Sequence, residues 1–429
     1  MSRYVYSLSD YRSVKRAVID INGITILVGE NGTGKSTISR LLYDTTKVLT
    51  EFDRLVELNA VHGLQNALRR IARPDIDLRL SLGPGTLNTF DFLEAYEGGM
   101  PLADIFDASE ELIGKFKRTL LNYFSKADHP SRMKVRLQSM FGIPNQNSDN
   151  YESLIDIICS TLEARVNSLR DSVARKLTER NIATFYELMS EVDEQIRESK
   201  IDTCISEDGL DLVNKNSISS LINIDRVVYY KTYELLECEK SNNDIYKYLN
   251  TVDTEKIDNC GRDITLKLNA ILNGGIQVER DILVNKLYYS RNDGLKIPLN
   301  QAATGAISFS ILAKLLENGH LHRGTLLIVD EPEAHLHPKW IVEYARILVL
   351  LQKSLDVKIV LSSHNPDMIA AIDAIARKEE ISGKVSFYFA VPSPDDSFQY
   401  VFEKQDSIAN IFDSFNFAIT RIQEYGKEE

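Results

Sequence analysis

A glycine-rich segment near the start of the chain has the residue types and spacing of a phosphate-binding loop. Residues 29–36 read Gly-Glu-Asn-Gly-Thr-Gly-Lys-Ser, which matches the pattern G-x-x-x-x-G-K-[ST]. Glycines let backbone N–H groups curve around phosphate oxygens, and a following helix adds the partial positive charge of its N-terminus. We therefore expect the chain to bind nucleotide phosphates. The predicted nucleotide-binding residues are Gly29, Glu30, Asn31, Gly32, Thr33, Gly34, Lys35, Ser36 and Thr37.

Within this loop, two side chains have separate predicted tasks. Lys35 is expected to bridge the β- and γ-phosphates, and Ser36 is expected to coordinate Mg²⁺ through its hydroxyl. The loop thus predicts ATP and Mg²⁺ as the cofactors of the chain.

A second chemical segment lies about 300 residues later, where the apolar run 326–329 is followed by Asp330 and Glu331. A buried strand would deliver Asp330 to Mg²⁺, while Glu331 would orient or deprotonate the attacking water. The next apolar run, 357–361, precedes His364, which can donate a hydrogen bond to the γ-phosphate. The predicted catalytic residues are therefore Lys35, Glu331 and His364, and the predicted metal ligands are Ser36 and Asp330.

The elements that must position these residues alternate between strands and helices at both ends of the chain. Strands are predicted at 4–8, 17–21, 24–28, 226–230, within 275–298, at 326–329 and at 357–361, and helices at 307–316 and 340–353. Asn22-Gly23 is a hairpin signal between the second and third strands. Apolar residues at three- and four-residue steps predict a long helix from Tyr151 and a second helix after Asn181. Prolines predict shorter helices and loops over 75–150. The arrangement is that of an α/β P-loop domain split by a helical insert.

Composition narrows the class of protein further. The 43% hydrophobic content is sufficient for a large core, and the formal charge of −12 argues against a surface coated by nucleic acid. Four well-separated cysteines favour neither a metal site nor a disulfide scaffold and fit a cytoplasmic location, and no run is apolar enough for a membrane span.

A basic stretch, Lys115–Arg136, is either a solvated helical face or a contact for nucleic acid or an acidic partner. Its basic residues are Lys115, Lys117, Arg118, Lys126, Arg132, Lys134 and Arg136.

Three segments together resemble a known family. They are Gly29–Ser36, the DEPEAHLHP stretch Asp330–Pro338, and Ser362–Pro366. They are similar to ABC/SMC-related ATPases of the OLD-like and anti-phage "AAA family ATPase" group, which includes the ATPase subunits of Septu or PARIS systems. The resemblance spans roughly residues 1–50 and 220–390. It implies an α/β fold in which an ABC-type ATPase head is split by a largely helical insert, with the head at 1–50 and 221–429 and the insert at 51–220.

The same resemblance implies a composite site between two copies of the chain. A signature-like loop at 303–308 would offer Thr304, Gly305 and Ser308 to ATP bound by the other subunit, and His335 would lie near that interface. The loop departs from the ABC pattern, with Thr304 at the usual serine and Ala306 at the second glycine. A structural helix cap is the alternative reading of this loop. We recognise no glutamine switch between the P-loop and the insert.

Three functional classes compete. The first is a sensor or regulatory ATPase that acts with a separate effector, such as an HNH or TOPRIM nuclease, in anti-phage defence. The second is a DNA repair or maintenance ATPase resembling RecF or SMC heads. The third, a stand-alone OLD-type nuclease, is disfavoured because the 65 residues after His364 are too few for a TOPRIM domain. We expect the first class on the strength of the resemblance.

Overall fold

The computed structural model divides the chain into two compact units. One unit, here the head unit, comprises Met1–Thr50 and Phe185–Glu429, and the other, the helical unit, comprises Glu51–Thr184. The structure describes residues 2–72, 90–126, 130–144, 150–192, 202–214, 217–231, 244–257, 259–279, 286–334, 336–413 and 424–425.

The head unit is built on a large mixed β-sheet. Its strands are β1 (Tyr4–Tyr11), β2 (Val14–Ile21), β3 (Ile24–Val28), β4 (Asp202–Glu207), β5 (Leu210–Asp211), β6 (Arg226–Lys231), β7 (Gly274–Glu279), β8 (Lys286–Arg291), β9 (Lys296–Pro298), β10 (Thr325–Asp330), β11 (Lys358–Ser363), β12 (Val385–Pro392) and β13 (Tyr400–Gln405). The large sheet has the order β5-β4-β1-β2-β13-β12-β3-β11-β10-β6, while β7, β8 and β9 form a second sheet. The fold is therefore α/β, as the sequence predicts.

Five neighbouring strands of the large sheet, β12-β3-β11-β10-β6, run parallel. Every residue of β3 and β10 is buried, which explains why both read as continuous apolar runs instead of alternating ones. Because these strands are parallel, their carboxyl ends meet at one edge of the sheet, where α/β proteins bind their ligands.

Helices of the head unit cover this sheet and complete its core. They are α1 (Lys35–Thr50), α8 (Asp244–Asn250), α9 (Asn259–Leu272), α10 (Thr304–Glu317), α11 (Pro338–Leu355) and α12 (Pro366–Lys378). The buried apolar faces of α10, α11 and α12 join β3, β10 and β11 in one hydrophobic core. Helix α12 begins at a well-formed cap, since the Asn365 side chain accepts hydrogen bonds from the amides of Asp367 and Met368.

The helical unit contains long helices packed side by side. They are α2 (Phe52–Ala72), α3 (Phe92–Glu97), α4 (Leu102–Lys126), α5 (Pro130–Phe141) and α6 (Tyr151–Glu179), and α7 (Ile182–Val192) crosses into the head unit. Helix α6 has the long amphipathic run that the sequence predicts. The expectation of only short helices over 75–150 is wrong, because α4 alone has 25 residues. Residues 75–89, 127–129 and 145–149 of that range lie outside the described residues.

Two further expectations differ from the structure. Asn22-Gly23 does not make a hairpin, because β2 pairs with β1 and β13 whereas β3 pairs with β11 and β12. A glycine is needed there for space, since a Cβ at Gly23 would lie 2.2 Å from the carbonyl oxygen of Lys384. The boundary predicted at residue 220 also differs from the division at 184/185, because β4 pairs with β1 and so belongs to the large sheet.

Candidate functional site

The phosphate-binding loop joins the carboxyl end of β3 to the start of α1. Gly32 and Gly34 have φ angles of +85° and +101°, a backbone region that glycine enters at little cost. A Cβ at Gly34 would also approach Val14 Cγ2 to 2.6 Å. The loop therefore requires glycine both for its conformation and for its close packing on β2. Ser36 and Thr37 follow on the first turn of α1, as the motif predicts.

Lys35 is buried at the base of the loop. Its Nζ donates hydrogen bonds to the carbonyl oxygens of Gly29 and Glu30, both at 2.7 Å. Burial lowers the pKa of Lys35, and the carboxylates of Glu331 and Asp330 oppose that shift. The lysine thus lies in the electrostatic field of Asp330 and Glu331. The fold therefore brings together two motifs that are about 300 residues apart in the sequence.

Asp330 is the last residue of β10 and is completely buried. The hydroxyl of Ser362, its register partner on β11, donates to Asp330 Oδ1. On the other side, Lys231 Nζ lies 2.8 Å from Asp330 Oδ2. Asp330 thus accepts a hydrogen bond from β11 at Oδ1 and forms an ion pair with β6 at Oδ2.

Glu331 and His364 lie next to each other just past the ends of β10 and β11. Glu331 has a φ of +49°, which is unusual for a residue with a side chain and is often found at functional sites. His364 Nδ1 lies 3.5 Å from Glu331 Oε1, and both side chains are partly exposed. The structure thus brings Lys35, Asp330, Glu331 and His364 to one edge of the sheet.

Glu333 is a further residue of the site that no sequence motif predicts, and it contacts the backbone of His364. Its Oε1 accepts hydrogen bonds from Ser363 Oγ at 2.6 Å and from the His364 amide at 3.2 Å. Burial raises the pKa of Glu333. The available signal is the second glutamate of the DEPE stretch, but its partners are defined only by the pairing of β10 with β11.

A polar cavity of about 300 Å³ adjoins the loop in the head unit. It is lined by Tyr11, Arg12, Ser36, Thr37, Arg40, Leu41, Tyr229 and Lys231. The Arg40 guanidinium lies 5.5 Å from the ring centroids of both Tyr43 and Tyr229. The basic side chains of Arg12, Arg40 and Lys231 suit an anionic ligand. The sequence alone does not predict this cavity, because β1, α1 and β6 come together only in the fold.

The donor set next to this cavity fits Mg²⁺. Ser36 offers a hydroxyl oxygen and Asp330 a carboxylate oxygen, which are the hard oxygen ligands that Mg²⁺ prefers. Sites of this kind take few protein ligands because nucleotide phosphates and water supply the others. Ser36 and Asp330 would hold the ion, which when bound neutralises charge on the transferred phosphoryl group.

The signature-like loop forms the start of α10. Thr304 and Gly305 are half-buried in the first turn, preceded by Ala303 in extended conformation. Ser308 is completely buried, and its hydroxyl donates to the Thr304 carbonyl at 3.1 Å. Thr304 and Gly305 can therefore face a second molecule directly, whereas Ser308 would need a rearrangement to do so. His335 lies outside the described residues.

Fold and site together define an ATPase-type P-loop domain. Residues 161–370 match the family model described as "AAA domain, putative AbiEii toxin, Type IV TA system". This match includes Asp330, Glu331 and His364 and begins after the P-loop. Residues 161–370 are therefore similar to the AAA domain of that family.

One curated protein with a similar sequence is a probable ATPase. The "Retron Vc95 probable ATPase" of Vibrio cholerae serotype O1 biovar El Tor is 22% identical over 422 residues, covering 90% of this chain and 74% of the relative. The chain is thus related to a retron ATPase over most of its length.

Solved structures of SMC head domains also align with the chain. The Pyrococcus furiosus Smc head with an extended coiled coil, bound to the C-terminal domain of ScpA, is 11% identical, with a TM-score of 0.33 over 99% of this chain and 100% of that one. The Thermotoga maritima SMC head is 9% identical, with a TM-score of 0.34 over 95% and 100% of the two chains.

Within the described ranges, no helix is long and apolar enough to cross a membrane.

Proposed function

We propose that this chain hydrolyses ATP with Mg²⁺ and acts as the sensor or regulatory ATPase of an anti-phage defence system that has a separate effector. The observation that carries the ATPase assignment is the convergence of Lys35, Asp330, Glu331 and His364 at the carboxyl edge of the parallel strands. In this proposal the edge supplies the phosphate loop, Asp330 as the carboxylate for the metal and Glu331 as the carboxylate for the attacking water.

Each residue has a defined task in this proposal. The amides of the loop and Lys35 bind the phosphates, because they concentrate positive charge where the nucleotide is most negative. Glu331 accepts a proton from the attacking water, or orients that water towards the γ-phosphate. His364, held by the Glu333 carboxylate through its amide, donates to a γ-phosphate oxygen.

A composite site between two copies is part of the proposal. Thr304 and Gly305 of one head would approach the γ-phosphate bound by the other, in a two-fold pair. This role is supported by the half-exposed position of both residues in the first turn of α10. The N–H groups of a first turn lack partners within the helix and can bind an anion. Nucleotide would then shift the equilibrium towards the pair, because the contacts with Thr304 and Gly305 exist only there.

The defence role rests on similarity. The similarity to a probable ATPase of a retron supports this role. As the separate effector we propose a nuclease such as an HNH or TOPRIM protein. A test is phage plating on cells that carry the gene together with its genomic neighbours. Protection that requires Lys35 supports the role, whereas protection unaffected by Lys35→Ala, or absent in the wild type, contradicts it.

The ATPase assignment is tested by nucleotide binding to purified protein. Lys35→Ala should weaken the binding of a fluorescent ATP analogue by at least about 100-fold, since the phosphates lose their main counter-charge. Lys15→Ala is the matched control, because Lys15 pairs with Asp10 on the surface of β1 and β2. A wild type that does not bind ATP, or Lys35→Ala with unchanged affinity, would overturn the assignment.

A further inference from the structure

Lys231 reaches the candidate site from a strand that lies far from the P-loop in the sequence. Strands β6 and β10 are parallel, and their register places Lys231 opposite Asp330. The lysine side chain is 15% exposed and the aspartate side chain is fully buried. The 2.8 Å contact is therefore a partly buried charge pair at the end of the sheet.

Asp330 needs a counter-charge at this position. A buried carboxylate without a compensating charge is strongly destabilising. Ser362 supplies a hydrogen bond to Oδ1 but no charge, whereas the Lys231 ammonium group lies at ion-pair distance from Oδ2 and can neutralise the carboxylate. Lys35 also lies within the field of Asp330, but its Nζ is engaged by the carbonyl oxygens of the loop.

A divalent cation at the same carboxylate would compete with this ammonium group. Two positive charges a few ångströms apart repel strongly where water is largely excluded. Lys231 must therefore withdraw from Asp330 before the carboxylate can serve Mg²⁺ beside Ser36. The side chain has room to do so, because Lys231, Ser36 and Thr37 line the same cavity of about 300 Å³.

We propose that Lys231 is a positioning residue that occupies Asp330 as a built-in counter-ion and sets how tightly the site takes a divalent cation. When the cation binds, Lys231 leaves Asp330 and its ammonium group turns into the cavity. There it donates hydrogen bonds to the oxygens of the nucleotide phosphates. The inference rests on the proposed function, because it assigns the cavity to the ATP phosphates. It gives the site a device that couples cation loading to the position of a phosphate-binding lysine.

The test measures Mn²⁺ binding to the nucleotide-free protein by the electron paramagnetic resonance signal of free Mn²⁺. Lys231→Met keeps the aliphatic stem but removes the charge, so Mn²⁺ should bind at least about tenfold tighter than in the wild type. Lys231→Arg should retain the wild-type affinity because it retains the competing charge. Adding Asp330→Asn to Lys231→Met should abolish the gain.

Lys256→Met is the matched control. Lys256 also pairs with an aspartate, Asp225 at 2.6 Å, but that pair lies beyond the amino end of β6. Its loss should leave Mn²⁺ affinity unchanged. Thermal unfolding gives a second readout, because Lys231→Met should unfold at a lower temperature than the wild type and regain stability when Mn²⁺ is added. If Lys231→Met does not fold, Lys231→Gln undergoes the same titration.

The outcomes separate the two proposals. Unchanged or weaker Mn²⁺ binding by the charge-free variant, or a gain that persists with Asp330→Asn, overturns the role of Lys231. If the wild type then still binds ATP, only this inference fails. A wild type that does not bind ATP contradicts the proposed function, whatever the Mn²⁺ titration shows.

Discussion

The amide of Glu331 donates a hydrogen bond to the carbonyl oxygen of Ser362 at 3.0 Å, directly after the last register pair of β10 and β11. This hydrogen bond extends the pairing of β10 and β11 by one residue. It fixes the backbone of Glu331, whose φ is +49°. The two candidate catalytic side chains, Glu331 and His364, thus emerge from strand ends that are fixed to each other. Their 3.5 Å separation follows from that pairing.

Gly305→Asp should prevent ATP-dependent pairing of two heads. The new carboxylate would face the phosphates bound by the partner, and like charges in a closed interface are costly. Among the described residues, a Cβ at Gly305 would meet Leu336 Cδ2 at 3.3 Å, the end of a side chain that can shift by a few tenths of an ångström. The measurement is solution mass with and without ATP, by light scattering.

The control for this experiment is Gly383→Asp, because no atom of the described part of the chain lies within 4 Å of a Cβ at that glycine. Wild type and control should both increase in mass with ATP, whereas Gly305→Asp should not. A wild type that hydrolyses ATP while remaining a monomer would contradict the composite site.

Reversing charge on the basic stretch should weaken nucleic-acid binding in a salt-dependent manner. Arg118 on α4 and Arg132 on α5 are exposed, whereas Lys117 is engaged by Asp156 at 2.8 Å. If both arginines contact phosphates, Arg118→Glu with Arg132→Glu should make the negative slope of log affinity against log salt shallower by about 2. Fluorescence anisotropy with labelled DNA at several salt concentrations gives the slope.

A second double variant in the same unit controls for net charge. Arg165→Glu with Arg175→Glu changes two exposed arginines of α6. If both double variants bind DNA with the same slope as the wild type, the basic stretch is a solvated helical face.

His320 should make the protein less stable on mild acidification. Burial lowers its pKa from 6.5 to about 4, and the adjacent Arg226 guanidinium contributes to the shift. Its Nε2 lies 2.8 Å from the Thr251 carbonyl, which the neutral ring satisfies with one N–H. The unfolded chain then binds a proton that the folded one does not between pH 6.5 and about 4. The free energy of unfolding should therefore fall by up to about 3 kcal/mol across that window.

His320→Gln removes the titrating group but keeps a donor and an acceptor. Denaturant unfolding at several pH values should show a flatter dependence between pH 6.5 and 4 in this variant. An equal slope in variant and wild type would mean that other groups cause the acid sensitivity.

Sequence reasoning succeeds where a signal is local and fails where partners are distant. Gly29–Ser36 and the apolar strands around it are contiguous, so their fold and their place at one edge could be predicted. Lys231 and Glu333 gain their roles from contacts across strands, which no single stretch reveals. The β1–β2 turn was missed for another reason, because Arg12 adopts a φ of +52° without the usual Gly or Asn.

The most direct test of the ATPase account is a paired measurement on Glu331→Gln. The amide has nearly the same shape as the carboxylate but cannot accept the proton of the attacking water. We predict that this variant binds ATP as tightly as the wild type and releases phosphate at least about 100-fold more slowly. Phosphate release by Glu331→Gln at the wild-type rate, with ATP binding intact, would contradict it.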